Sequence, residues 1–335
     1  MREADIRPSD LLNEYLRLSA EDAASWFADA GLLVGRPCPG CGKDDSDPAF
    51  QKNGFTFATC RTCRTLYANP VPTAGPLSDF YRNSPSQKYW GETFFPAVAE
   101  ARREHIFRPR VARIRALLSE KSTAAVGPVI DVGAGAGIFL EEAAAAGLGT
   151  ERRAIEPNGD LAALCRTKGF DTFEGFAVDA ASDPAWFEQA DLVTCFEVIE
   201  HVPDCAGFVA ELAALAAPGG TILFTGLCGG GFDIMTLGRH AKAVSPPHHL
   251  NFLSRRGTEV LLDRCGLESL QFLTPGELDV DIVANTDREH GGLVDDPFVR
   301  YLLDVASQDI RDNFQRFLSD NGLSSHMWVV ARKPA

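Results

Sequence analysis

Residues 129–137 read Val-Ile-Asp131-Val-Gly133-Ala-Gly135-Ala-Gly137, an apolar run that ends in an acid and three alternating glycines. Glycine lets a backbone turn sharply and approach a ligand with no Cβ in the way. Short apolar runs separated by helical segments continue through ERRAIEP, FDTFEGF, ADLVTCFEV and TILFTGL. Such alternation predicts an α/β fold, a mostly parallel sheet covered by helices on both faces. Ligands of open sheets of this kind bind outside the carboxyl ends of the strands, so the strand ends carry the functional question. A dinucleotide fingerprint needs its third glycine at position 138, which is Ile138, and the absence of a Lys-Ser/Thr ending excludes a Walker phosphate loop. The second strand ends at Glu156, nineteen residues past Gly137, where a carboxylate can accept hydrogen bonds from both ribose hydroxyls of a nucleotide-like ligand.

Two further elements narrow the choice. The fourth strand runs into Cys195-Phe196-Glu197-Val-Ile-Glu200-His201-Val-Pro-Asp204, and Ala217-Pro-Gly-Gly220 leads into the fifth. With Asp131 two places before Gly-x-Gly-x-Gly, this set resembles, in order and spacing, the motifs of class I S-adenosylmethionine (SAM) dependent methyltransferases. The resemblance covers roughly residues 121–270 and extends to the C-terminal SSHMWVVARK. It implies an enzyme with a Rossmann-like methyltransferase fold and a mostly parallel seven-stranded sheet. It also implies SAM as cofactor, with its ribose at Glu156, its methionine moiety along Gly133, Gly135 and Gly137 near Asp131, and its adenine near Phe176 and Phe196. For those two phenylalanines plain core packing is the alternative.

Four of the nine cysteines form Cys38-Pro-Gly-Cys41 and Cys60-Arg-Thr-Cys63, with eighteen residues between the pairs. That is the spacing with which four thiolates surround zinc tetrahedrally. Sulfur would fill every coordination position, so the expected Zn²⁺ is structural and staples a ribbon at 35–75. Helices are expected over 1–34, where Leu11, Leu12, Tyr15, Leu16, Trp26, Phe27 and Ala30 recur at helical spacing. Residues 76–120 form an aromatic-rich lid and connecting helix, with Phe80, Tyr81, Tyr89, Trp90, Phe94 and Phe95. Within it Arg102, Arg103, Arg108, Arg110, Arg113 and Arg115 make either a solvated face or an anion-binding patch. The methyltransferase domain is expected over 121–335, with a helical insertion at about 277–325. That insertion contains a helix around 297–319 with Phe298, Tyr301, Leu302 and Val305 on one side, covering the acceptor or building a homodimer contact.

The segment Pro246-Pro-His248-His249-Leu-Asn-Phe-Leu-Ser254 follows the fifth strand. His249-Leu-Asn-Phe-Leu-Ser resembles a segment of a methyltransferase subgroup that often carries an N-terminal cysteine knuckle and includes deoxysugar C-methyltransferases. In that subgroup the histidine before Leu serves as a base. Here His248 stands where a Glu is common, and the additional C-terminal domain of the sugar enzymes has no room. Glu197, Glu200 and His201 resemble the acidic-acidic-His run of quinone-biosynthesis O-methyltransferases, where a divalent cation such as Mg²⁺ assists deprotonation; strand-end packing explains the same residues. An imidazole with an unperturbed pKa near ~6.5 suits proton removal at neutral pH. The candidate catalytic residues are therefore His249, then His201, then His248.

A formal net charge of −14 argues against nucleic acid or an anionic membrane as partner, since both need a contiguous basic surface. A small-molecule methyl acceptor is expected: a sugar, a nucleotide-linked sugar or a secondary metabolite. The N-terminal MREADIRPSD lacks the apolar core of a secretory signal, and the long uncharged run 212–232 is interrupted by Pro218, Gly219 and Gly220. The expectation is a cytoplasmic protein with reduced thiols. Two other functions are compatible with the motifs: an RNA methyltransferase that reads RNA with the ribbon, and a non-catalytic module that binds SAM or a partner protein.

Overall fold

The computed structural model describes residues 2–119 and 126–335. The C-terminal two thirds contribute seven strands: β6 (Val129–Val132), β7 (Arg152–Glu156), β8 (Asp171–Glu174), β9 (Ala190–Cys195), β10 (Ala216–Leu227), β12 (Glu268–Leu273) and β13 (His326–Arg332). Their order across the sheet is β12-β13-β10-β9-β6-β7-β8. Only β13 runs against its neighbours. The chain is thus a mostly parallel Rossmann-like sheet, with Ile130, Val193, Phe224 and Val329 packed on one side and Val129, Leu192, Leu223 and Val330 on the other. Strand order reverses between β6 and β9, and the crevice at such a switch point is where open sheets bind ligands.

The N-terminal part contributes β1 (Leu33–Val34), β2 (Ser46–Lys52), β3 (Phe55–Cys60), β4 (Leu66–Ala68) and β5 (Val71–Pro72). β2, β3 and β4 form an antiparallel ribbon that is extended by a strand from far down the chain, β11 (Asn251–Phe252). Asn251 pairs with Tyr67 and Phe252 with Leu66. This pairing fixes the histidine segment, because β11 begins two residues after His249. The helix Ser9–Trp26 buries Leu12 and Tyr15 against Phe94 and Val98, and Trp90 stacks on Phe94 with centroids 4.4 Å apart.

The insertion differs from expectation. In place of one helix at 297–319 there are two, Pro297–Asp304 and Gln308–Asp320, preceded by Asp279–Glu289. The break falls at 305–307, where Ser307 takes up extended geometry as N-cap of the last helix. The buried face is Val299, Leu302 and Leu303, whereas Phe298, Tyr301 and Val305 are exposed. Among the described residues no helix is long and apolar enough to cross a membrane.

Candidate active site

The loop after β6 has the geometry its glycines allow. Gly133, Gly135 and Gly137 have φ of 73°, 55° and 71°, a region that costs an L-residue roughly 1–2 kcal/mol. Space adds a second demand at Gly133, where a Cβ would stand 2.8 Å from Val198 Cγ2. Asp131 is buried beneath the loop and accepts a 2.7 Å hydrogen bond from Thr194 Oγ1. Burial pushes its carboxyl up to about 7.

Glu156 accepts from the backbone N–H of Gly135 at 2.7 Å and of Asn158 at 2.9 Å, one on each oxygen. A carboxylate offers about four lone-pair positions, so one on each oxygen remains for a pair of ribose hydroxyls. Glu156 pairs in register with Glu174 of β8, and Phe176 follows two residues later with 46% of its surface exposed. Phe196 is more enclosed: it packs edge to face on Phe139 at 4.7 Å, with the Arg110 guanidinium 4.2 Å from its ring centroid. The donor set and the glycine backbone therefore fit a nucleoside with a flexible tail, the shape of SAM.

Beyond β9 the chain turns through Glu197, a non-glycine residue at φ 56°. Strain of this kind persists only where the surroundings enforce it. Thr225 Oγ1 donates to Glu197 Oε1 at 2.5 Å, and Arg110 Nη2 and His326 Nδ1 each stand 3.5 Å from the same oxygen. Burial would raise this carboxyl, but His326, Arg110 and Thr225 outweigh it and hold it below the usual range. Glu197 is consequently not part of the expected Glu197-Glu200-His201 cation set. The groups that converge are Glu200, His201 and His249, whose ligand atoms lie within 4.8 Å of one another.

Hydrogen bonds lace the two histidine-bearing segments together. Leu250 N donates to Glu200 O at 2.7 Å, and Asn251 Nδ2 donates to Ile199 O at 2.9 Å and Val202 O at 2.7 Å. Arg36 completes the joint, reaching Asn251 Oδ1 at 2.7 Å and Pro203 O at 2.7 Å. The rings of His201 and His249 meet with centroids 4.8 Å apart. Tyr81 donates its hydroxyl hydrogen to His248 O at 3.1 Å, so its oxygen accepts from His201 Nδ1 at 3.0 Å. His249 Nδ1 donates to Ala243 O at 2.6 Å. Both rings are thereby fixed as Nδ1–H tautomers with Nε2 carrying the lone pair. Burial is the main reason that His201 lies well below 6.5 and His249 is pushed down to about 4. Both are neutral proton acceptors at physiological pH.

His248 leaves the catalytic set. It is fully buried, and both ring nitrogens are committed, Nε2 to Ser86 Oγ at 3.0 Å and Nδ1 to Gln87 Nε2 at 3.1 Å. It packs between Tyr15 and Phe80, a satisfied core histidine. Sequence reasoning offers Tyr81 only as a lid aromatic and assigns no role to Arg36, Asn251, Thr225 and His326; these five orient the histidines and Glu197. Tyr81 and Asn251 lie in segments the sequence does point to, but their partners become visible only when distant loops meet.

The four cysteines of the ribbon are buried, with Sγ atoms of Cys38 and Cys63, and of Cys41 and Cys60, 3.5 Å apart. A zinc–sulfur bond of about 2.3 Å implies tetrahedral edges of about 3.8 Å, so the arrangement fits Zn²⁺ and excludes disulfides. The site also clamps the helix Arg255–Arg264: Ser254 Oγ donates to Cys63 O and Arg264 Nη1 to Gly40 O at 2.9 Å. The cysteine cluster and the histidine segment are thus mechanically connected.

Comparison with known proteins agrees with this geometry. The family described as methyltransferase domain matches residues 102–271, half of the chain. The chain belongs to that methyltransferase family. Among curated proteins it is similar to the ubiquinone biosynthesis O-methyltransferase of Methylococcus capsulatus, 39% identical over 159 residues, 44% of this chain and 58% of that protein. The protein of the same name from Thiobacillus denitrificans is 34% identical over 163 residues, 45% of this chain and 60% of that protein. The chain thus spans about 60% of the length of these relatives, and the aligned part of this methyltransferase-family chain is less than half of it. A solved SAM dependent methyltransferase from Archaeoglobus fulgidus covers 71% of this chain and all of its own at 15% identity, with a TM-score of 0.47.

Proposed function

We propose that the protein is a SAM-dependent methyltransferase acting on a hydroxyl of a small-molecule acceptor, with His249 as the proton acceptor and His201 as its partner. The observation that carries this reading is the pair of tautomer-fixed rings beside the strand ends, each with Nε2 uncommitted among the described residues. When bound, SAM supplies an electrophilic methyl group on a sulfonium. Glu156 and the Gly133–Gly137 backbone hold the ribose and the methionine tail, and Asp131 supports that loop from below.

His249 Nε2 takes the acceptor's hydroxyl proton, His201 and Tyr81 restrict the ring positions, and the enclosing aromatic residues keep bulk water out. A positioned base of this kind contributes about 10²–10⁴ in rate, and alignment of the two reacting centres contributes more. The O-methyltransferase names of the similar proteins support oxygen over carbon as the acceptor atom. The test is transfer of labelled methyl from SAM into the small-molecule fraction of a bacterial extract, with wild type and His249→Ala in parallel. Label appearing with the wild type alone supports the reading; label in RNA instead assigns a different substrate class.

A second reading uses the same cluster as a cation site, because Glu200 Oε2 is buried without a hydrogen-bond partner among the described residues. One carboxylate and two imidazoles suit Zn²⁺ or Fe²⁺ better than Mg²⁺, which prefers oxygen ligands. Elemental analysis distinguishes the two: more than one equivalent of metal per chain, reduced by one in His249→Ala, favours the cation.

A further inference from the structure

The insertion leaves an apolar face in water. On the helix Pro297–Asp304 and at its end, Phe298, Tyr301 and Val305 are exposed, and on the helix Gln308–Asp320 so are Ile310 and Phe317. These side chains form one patch. Phe314 joins the two helices, its ring centroid 5.7 Å from that of Phe298 and 6.2 Å from that of Phe317. Tyr301 and Val305 follow Phe298 at helical spacing, and Ile310 precedes Phe314 by one turn. Phe314 also meets Phe232 at 5.3 Å, which draws in two more exposed side chains. Met235 lies one turn along the helix Phe232–Leu237, and the Leu323 carbonyl accepts from Phe232 N at 2.8 Å.

The size of the patch points to a protein partner. Exposure of its residues runs from 38% to 70%. With about 150–250 Å² for a whole aromatic side chain and somewhat less for the aliphatic ones, roughly 700 Å² of apolar surface faces solvent. The largest patch on a typical monomer is about 300–600 Å², whereas each side of a standard interface contributes about 800 Å². A lipid surface fits poorly. Helices that lie on membranes carry Lys and Arg on their polar face, but on Gln308–Asp320 the acids Asp309, Asp312 and Asp320 outnumber Arg311 and Arg316.

The charges beside the patch select a second copy of this chain. Asp309 immediately precedes Ile310 and Arg316 immediately precedes Phe317, so the two charges lie two turns apart on the same flank of the apolar stripe. Arg316 rests on the amide oxygen of Asn313, and neither it nor Asp309 has an ion-pair partner among the described residues. When two identical helices run antiparallel about a two-fold axis, residues of the same flank face one another. We propose that the protein is a homodimer in which the helix Gln308–Asp320 packs antiparallel on its own copy. Asp309 of each chain stands opposite Arg316 of the other, and Ile310 lies beside Phe314. Every contact occurs twice, as it must where a surface pairs with itself.

Sedimentation equilibrium of the full chain at about 1–100 µM tests this. The mass should be twice 36.2 kDa, and Phe317→Asp, which puts a charge at the centre of the face, should weaken association by about 100-fold or more. Asp309→Arg and Arg316→Asp should each weaken it by about tenfold or more, because each places like charges opposite one another twice. The double exchange Asp309→Arg with Arg316→Asp should restore it to within about threefold. All three positions are exposed, so urea midpoints at a concentration where every chain is monomeric should hardly change. A wild type that is monomeric at the highest concentration overturns the proposal, as does a double exchange no better than the single variants. Monomers that sediment with phosphatidylcholine–phosphatidylglycerol vesicles overturn it by giving the face to lipid. Should Phe317→Asp fail to fold, the charge exchange decides the same question.

Discussion

His201 and His249 meet nearly edge to face, ring planes 76° apart, and each gives its Nδ1 hydrogen to a fixed acceptor, the Tyr81 hydroxyl and the Ala243 carbonyl. The consequence is a division of labour between two otherwise similar rings. His249→Ala should lower kcat by about 10²–10⁴ while binding of S-adenosylhomocysteine, proposed above to rest on Glu156 and the glycine loop, stays within twofold by calorimetry. Tyr81→Phe removes the acceptor of the His201 hydrogen and should lower kcat by less than His249→Ala does. Wild-type turnover in His249→Ala would end the assignment of that ring as base.

Removal of a Zn²⁺ held by the four thiolates would reach the active site through β11. The ribbon borrows Asn251 and Phe252 as an edge strand, and Ala68 N donates to Leu250 O at 2.8 Å, one residue from His249. Loss of the four thiolate bonds by chelation, or of one by Cys60→Ser, should release the histidine segment. Methyl transfer is expected to fall at least as far as in His249→Ala, with S-adenosylhomocysteine affinity largely kept because the residues proposed to bind it lie on the parallel sheet. Zinc released in proportion to lost activity, measured with a colorimetric chelator, checks this; full activity in metal-free protein contradicts it.

Two of the three loop glycines separate strain from collision. Gly135 has φ 55° but nothing within 4 Å of the point a Cβ would occupy, while Gly133 has φ 73° and its Cβ would meet Val198 Cγ2 at 2.8 Å. Gly135→Ala should therefore cost the backbone term alone, about 1 kcal/mol, and Gly133→Ala should cost more. Since Val198 follows Glu197, the second variant should also disturb the strained turn. Denaturant melts rank the two; equal losses would mean that Val198 simply yields.

The central strands of the parallel sheet are legible in the sequence because they are largely buried and announce themselves as apolar runs. Asp131, Glu156 and Cys38-x-x-Cys41 are legible because ligand geometry imposes short fixed spacings. β12, with ESLQFL half-exposed at the sheet edge, carries no such run and leaves no signal. The insertion helix is misread for a related reason. Phe298, Tyr301, Leu302 and Val305 form a helical stripe in sequence, yet the core takes Val299, Leu302 and Leu303, a choice made by neighbouring helices. At the site, local pattern places two histidines side by side, but opposite fates follow: His248 points among Tyr15, Phe80 and Gln87, and His249 toward His201. That distinction depends on contacts with residues far away along the chain, as does the withdrawal of Glu197 toward Arg110.

His248 also makes the fold sensitive to acid. Burial, with a smaller contribution from His249, pushes its pKa down to about 3, against about 6.5 in an unfolded chain. Between those values the unfolded state binds the extra proton and the native state does not, so stability rises with pH. The contribution is complete above about pH 6.5 and is lost as pH falls toward 3, at about 1.4 kcal/mol per pH unit. Asp131 and Asp233, raised to about 7, act in the opposite direction, but they are common to wild type and variant and cancel in the difference. His248→Gln cannot take up the proton. Its stability deficit relative to wild type at pH 7 should shrink by about 2 kcal/mol at pH 5, read from paired urea melts. A deficit that stays constant from pH 7 to 5 would show that His248 titrates alike in the native and unfolded states, and that the seal formed by Ser86 and Gln87 opens in solution.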